Sequence, residues 1–325
     1  MTVPHVIVVS PSGSGGPTLA GITTALGYTP YGTMSGSHAV AGERPGPGEV
    51  QPLLQAAYGQ DRTVALLRGD RAELEAAFQA AVHALWRVWW TRLGQPVTHV
   101  SPVEPVLEHR LARWPAPALY RLLPGRGCWY VCGLDLRRMD ADLVRTWTAT
   151  GQPPIVFHHR DVRDRILSQV HLLSGPADRV GSLPEHLVYR DIVSALPDMD
   201  ARITLALTDP EFPGMAEARR CQWLLRHPRV CAITHEELVG PDDVRDRALT
   251  RLLTTVDHPD HAAALAALAA VSRDEGDHAV GAWREHFTPE HERLLRRFHD
   301  DRPHDDRPAF RTCAAGIAVP EQYTR

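Results

Sequence analysis

Val6-Ile7-Val8-Val9, then Ser10-Pro11-Ser12-Gly13-Ser14-Gly15-Gly16-Pro17-Thr18, then Leu19-Ala20-Gly21-Ile22-Thr23-Thr24-Ala25-Leu26-Gly27 form the stretch whose reading decides the fold. The β-branched run is apolar on both faces, which predicts a buried strand of a parallel sheet. Leu19, Ile22, Ala25 and Leu26 recur at helical spacing, and Gly27 stops the helix. The loop between them is almost wholly Gly, Ser and Pro. Strand, small-residue loop and helix amino terminus together make an anion site, because backbone N–H groups point outward and the helix dipole adds about half a positive charge. Ser14 and Thr18 add hydroxyl donors. A Walker loop needs lysine beside its closing Ser/Thr, whereas position 17 is proline, a residue that suits a first helical turn.

Composition narrows the possibilities. At 325 residues and 43% hydrophobic, the chain can bury one large core. A net charge of −4 argues against a nucleic-acid partner held by bulk electrostatics. The sequence contains no lysine and no asparagine, so no lysine can clamp phosphate or form a Schiff base. The odd set Cys128, Cys132, Cys221, Cys231 and Cys313 shows no metal-ligand spacing and reads as thiols in a reducing cytosol. No apolar run has the length of a membrane span. A soluble, cytoplasmic protein without a metal is expected.

Further along, residues 29–49 lack periodicity and read as a loop that carries His38, Glu43 and Glu49 beside the anion site. Helices are expected over Arg71–Leu93, Glu104–Trp114, Asp140–Thr150, Leu183–Leu196, Met215–Arg226, Ala262–Val271 and Pro289–Phe298. Strands are expected at Val97–Ser101, Cys128–Cys132, Ile155–Phe157, Ile203–Leu207 and Val230–Ile233, and a loop at Gly276–Trp283. Alternating strands and helices imply a parallel α/β sheet flanked by helices, as one domain over 1–300, with a tail over 301–325. Arg160 stands where the strand Ile155–Phe157 gives way to a helix, and Ser168 lies two turns further on. Ligands of open α/β sheets bind at the carboxyl ends of strands, so Arg160 is placed to meet an anion held by the first loop. An Arg160–Asp164 surface pair is the plainer alternative.

Four stretches together resemble the cytosolic-type sulfotransferases, which transfer a sulfuryl group from 3′-phosphoadenylyl sulfate (PAPS). The opening strand-loop-helix resembles their 5′-phosphosulfate loop. Arg160-Asp161-Val162-Arg163-Asp164 with Ser168 resembles their 3′-phosphate motif. His227-Pro228-Arg229-Val230 through His235-Glu236-Glu237-Leu238 resembles their core strand ending in Tyr-Glu-Asp-Leu. Gly281-Ala282-Trp283-Arg284-Glu285-His286-Phe287-Thr288 resembles Gly-Asp-Trp-Lys-Asn-His-Phe-Thr. The resemblance implies the P-loop-like sulfotransferase fold. It also implies a donor site made of Ser12, Gly13, Ser14, Gly15, Gly16, Pro17, Thr18, Arg160, Ser168, His235, Arg273 and Trp283.

Departures from the family are specific. The loop is longer by one residue and lacks the family's Lys/Arg, a loss on the order of a few kcal/mol of transition-state stabilisation. His235 stands where the family has the tyrosine that packs on adenine. The Arg-Lys-Gly before the tryptophan segment is replaced by Gly276-Asp277-His278, unless Arg273 takes its part. No histidine lies at Gly133–Asp135, where the family's catalytic histidine falls. Asp135, by position, then Glu43 and His38 are therefore the candidate bases.

The expected function is PAPS-dependent sulfuryl transfer to a hydroxyl or amine of a small molecule, of the kind met in specialised metabolism. No nucleic-acid or membrane partner is expected, and the chain could pair as a homodimer. Two alternatives stand beside it: the same fold catalysing another reaction at an eroded donor site, and a binding protein without turnover. A P-loop kinase is disfavoured, since no lysine can neutralise the transferred phosphoryl group.

Overall fold

The computed structural model describes residues 5–32, 47–95, 103–119, 121–122, 125–180, 184–271 and 279–300, with short strands at Phe310–Thr312 and Ala318–Pro320. The chain opens with β1 (His5–Val9), α1 (Gly16–Ala25) and β2 (Thr29–Gly32). Helices α2 (Pro47–Tyr58), α3 (Gln60–Arg68), α4 (Arg71–Arg92), α5 (Pro105–Leu111) and α6 (Ala116–Leu119) follow. Then come β3 (Gly127–Val131), α7 (Ala141–Thr150) and β4 (Ile155–His159). A helical stretch has α8 (Val162–Ser174), α9 (Ala177–Val180), α10 (Pro184–Ser194), α11 (Met199–Thr208) and α12 (Met215–Arg220). A 3₁₀ turn at Gln222–Arg226 leads to β5 (Val230–Thr234), α13 (His235–Val239), α14 (Asp242–Thr255) and α15 (His261–Leu268). A second 3₁₀ turn at Ala282–Glu285 precedes α16 (Pro289–Asp300).

The sheet has five strands in the order β2-β3-β1-β4-β5, and every pairing is parallel. All of β1 is buried, as a central strand must be. Its side chains alternate between two cores. Ile7 and Val9 join a cluster built with α2–α7, and Val6 and Val8 join one built with α1, α14 and α15. Each fully buried Val, Leu or Ile contributes about 1.5–3 kcal/mol. The tryptophans at the end of α4 belong to the first core, where Trp86 stacks on Trp90 with ring centroids 5.0 Å apart. A third cluster has no sheet beneath it. Ile166, Leu167, Val170 and Leu173 of α8 pack there with Ile203, Ala206, Phe212, Met215 and Leu295.

Helix ends follow their local chemistry. Asp70 and Asp140 cap α4 and α7 by accepting backbone N–H bonds from Ala72, Glu73 and Leu143. Gly151 ends α7 in the left-handed conformation that glycine adopts without steric cost.

Three expectations are corrected. Thr29–Gly32 is an edge strand, paired in register with Gly127–Tyr130. Its Pro30 is compatible with an edge, where one N–H row stays unpaired. The run Ile203–Leu207 is helical, not a strand. Asp198 caps α11 through the Ala201 N–H, and Ile203, Ala206 and Leu207 recur at i, i+3 and i+4 to face the third cluster. Cys221 also divides the expected Met215–Arg226 helix into α12 and a 3₁₀ turn. Val97–Ser101 and residues 33–46 lie outside the described residues.

Cys128, Cys221 and Cys231 are buried free thiols, and Cys132 is half-buried. Among the described residues, no helix is long and apolar enough to cross a membrane.

Candidate functional site

After β1 the chain crosses over through α1 to β2 on one side, whereas β4 leads to β5 on the other. The crossovers diverge between β1 and β4, and a crevice opens at the carboxyl ends of those strands. The loop 10–18 and Arg160 both lie there.

The loop is held from below and behind. The Ser10 N–H donates to the Val131 carbonyl at 2.9 Å, and the Ser10 hydroxyl hydrogen-bonds His158 Nδ1 at 3.1 Å. The Ser14 N–H turns back to the Pro11 carbonyl at 3.0 Å, with Gly13 between them at φ 80°. Gly15, at φ 79° and ψ 34°, is the N-cap of α1. Pro17 is exposed on the outer side of the turn, while Gly16 and Thr18 are buried. The Ser12 hydroxyl reaches Cys132 Sγ at 3.9 Å.

In front of the loop lies a cleft of about 170 Å³, lined by Pro11, Ser14, Phe157, His159, Arg160, Val162, Arg165, Ala218, Arg219, Gln222 and Leu225. Three arginines and one histidine therefore share it with the loop serine, against an apolar wall. The Ser14 hydroxyl is buried, and no described residue hydrogen-bonds it. Arg160 is 6% exposed. Burial lowers Arg165 to about 10, so it remains a cation at neutral pH. Burial also lowers His159, against the opposing pull of Glu236 and Glu237, so its imidazole is neutral and able to accept a proton. Beneath the cleft, burial and the nearby His235, His159 and Arg160 bring His158 down to about 3.

The other expected site residues fall into three groups. His235, the first residue of α13, is fully buried against the loop: a Cβ on Gly15 would lie 2.5 Å from its Cε1 and closer still to its Nδ1. It is thus packed behind the turn and presents no open ring face. Ser168 is half-buried in α8 and Trp283 half-buried in the second 3₁₀ turn; neither lines the cleft. Trp283 is tied to the start of α8 nonetheless. The carboxylate of Asp164 accepts the Gly281 N–H at 2.7 Å and the Trp283 N–H at 3.1 Å. The Arg163 guanidinium lies over the indole at 4.6 Å and pairs with Glu292.

Asp135 also stays out of the cleft. Its carboxylate accepts the Arg137 N–H at 3.0 Å and sits 3.8 Å from Arg220 Nε. His38, Glu43 and Arg273 lie outside the described residues. Glu49 falls in the first turn of α2.

Sequence reasoning passed over His159, Arg165, Arg219 and Gln222. Strand alternation from Phe157 was available as a signal for His159. No sequence signal separates Arg165 from its neighbours Arg160 and Arg163. No protein-family model matches the chain, and no curated protein matches it.

Proposed function

We propose that this protein is a sulfotransferase of the P-loop-like fold. It would move a sulfuryl group from 3′-phosphoadenylyl sulfate to a hydroxyl, or an amine, of a small molecule. The observation that carries the reading is the shared cleft: Ser14, from the loop after β1, and Arg160, from the end of β4, line it together. The strand order, with β1 at the centre and the loop at a topological switch point, supports it. A buried Ser14 hydroxyl with no described partner, beside buried arginines, fits an anionic head group.

On this reading Gly13, Ser14, Gly15, Gly16 and Thr18 would hold the 5′-phosphosulfate and Arg160 the 3′-phosphate. Ser168, which does not line the cleft, would take part only if the 3′-phosphate extends past Arg160 along α8. The acceptor oxygen bonds to sulfur as the sulfur–oxygen bond to the nucleotide breaks, and the acceptor's proton passes to a base. His159 suits that task because it lines the cleft and is held neutral. The apolar wall of Phe157, Val162 and Leu225 favours an acceptor with a hydrophobic body. A cytoplasmic location belongs to the same proposal.

Calorimetric titration with 3′,5′-diphosphoadenosine tests it. The expected result is saturable binding, weakened about tenfold or more in Arg160→Met, as for loss of a charge-assisted contact. Labelled PAPS should then deliver label to a hydroxylated acceptor. Absence of binding at millimolar nucleotide ends the reading.

One observation favours a second reading. The imidazole of His235 rests on Gly15, and the chain has no lysine to stabilise the leaving group. A sulfotransferase-fold protein that binds without turnover, or that catalyses another reaction, would bind the nucleotide and incorporate no sulfuryl label.

A further inference from the structure

We infer that Arg165 supplies, from α8, the positive charge that the loop after β1 lacks, so that Ser14 and Arg165 together hold a tetrahedral oxyanion in the cleft. The inference rests on reading that loop as an oxyanion site and adds a residue that the sequence resemblance does not assign.

Arg165 sits in the opening turns of α8 and is only 5% exposed, yet it lines the cleft beside Ser14. It is pressed onto the loop. A Cβ on Gly13 would lie 2.7 Å from the Arg165 carbonyl oxygen and 3.1 Å from its Cγ. Glycine at position 13 is what lets α8 come this close. The guanidinium donates from Nη1 to the Gly214 carbonyl at 2.8 Å and from Nη2 to Met215 Sδ at 3.4 Å. Both acceptors are uncharged, and Arg165 has no ion pair with a carboxylate among the described residues. Glu217 acts on it only from a distance. By contrast Arg163, two residues earlier, is half-exposed and paired with both Asp161 and Glu292.

Buried charges are ordinarily paired, because an uncompensated ion in a low-dielectric interior is costly. The Ser14 hydroxyl beside it is likewise buried without a described partner. A buried hydroxyl without a described partner and a buried cation whose described hydrogen bonds go only to uncharged acceptors line one cleft, and together they are complementary to a sulfate or phosphate group. A guanidinium carries five N–H donors and a fixed positive charge, so beyond its bonds to Gly214 and Met215 it retains donors and the charge that a lysine in the loop would supply.

The test uses the full-length protein and inorganic sulfate as probe, with sodium chloride at matched ionic strength as control. Sulfate should raise the melting temperature of the wild type beyond chloride. Arg165→Met should abolish that excess, and Arg165→Lys should retain part of it. Because Arg165→Met removes buried hydrogen bonds and could fail to fold, Ser14→Ala provides a second arm. It deletes only a hydroxyl without a described partner, so the protein should fold normally and lose several-fold in sulfate affinity.

Sulfate protection undiminished in Ser14→Ala, or in a folded Arg165→Met, would overturn the inference, as would no protection of the wild type. A parallel titration with 3′,5′-diphosphoadenosine separates the two proposals. Arg165-dependent sulfate protection without nucleotide binding retains the anion site and removes the donor assignment. Nucleotide affinity unchanged by Arg165→Met does the reverse. Where both hold, the nucleotide should displace sulfate, and its affinity should fall about 10–100-fold in Arg165→Met.

Discussion

Gly15→Ala is the sharpest probe of the loop. Gly15 occupies φ 79° and ψ 34°, a conformation that costs an L-residue about 1–2 kcal/mol. The added methyl would also lie 2.5 Å from Cε1 and 3.0 Å from Cγ of His235. That ring is fully buried, with the His158 ring at 6.0 Å, so it has little room to retreat. Overpacking of this kind adds about 1–3 kcal/mol, for a total of about 2–5 kcal/mol. Gly151→Ala is the control: at φ 71° and ψ 12° it carries the same backbone term, but its nearest contact is the flexible end of Arg229 at 3.3 Å. It should cost only about 1–2 kcal/mol. Urea midpoints at constant m measure both. In the Gly15→Ala/His235→Ala pair the overlap is gone, so the double variant should exceed the sum of the singles in stability by about 1–3 kcal/mol. Equal midpoints for the two glycine variants, with an additive double variant, would refute a loop clamped by His235.

Three further outcomes are expected. His5 and His158 are each brought down to about 3 by burial, below the 6.5 of an unfolded chain, so the unfolded state binds more protons between those limits. Stability should be full above pH 6.5 and fall toward pH 3 by up to about 1.4 kcal/mol per pH unit per histidine, less in His158→Gln; a flat urea midpoint from pH 7 to 5 contradicts this. Asp164→Asn should release the Gly281 and Trp283 N–H groups at a cost of about 1.5–3 kcal/mol, read as faster hydrogen exchange at those two amides; unchanged protection would remove Asp164 as the anchor of that turn. For sulfuryl transfer, His159→Gln should lower kcat/KM about 10²–10⁴-fold. Because burial lowers His159, the wild-type rate should decline only below the ordinary histidine range, and an acidic limb above pH 6.5 would exclude it as the base.

Much of the frame was legible in the chain because local signals agreed with one another. A β-branched run, a Gly/Ser loop and a helical apolar period predict β1, its turn and α1, and Asp140 and Gly151 bracket α7 as cap chemistry requires. Ile203–Leu207 misled because a short apolar run with a β-branched start satisfies strand and helix alike; the Asp198 cap and the third cluster decide it. Asp135 was chosen by position alone, and position did not reveal that the Arg137 N–H and Arg220 already occupy its carboxylate.

By itself, the sequence indicated the parallel α/β frame and put both the first turn and Arg160 at carboxyl ends of strands, since element type follows from local pattern and ligands of such sheets bind at those ends. The strand order that makes β1 and β4 neighbours came only from the tertiary structure. Only the tertiary structure, too, decided which of the other arginines near Arg160 serves the cleft. Successive residues of a helix point about 100° apart, so the packing of α8 against the third cluster sends Arg163 out to Glu292 and Trp283 and turns Arg165 inward onto Gly13. That choice depends on rotation and burial, which charge and spacing along the chain do not encode.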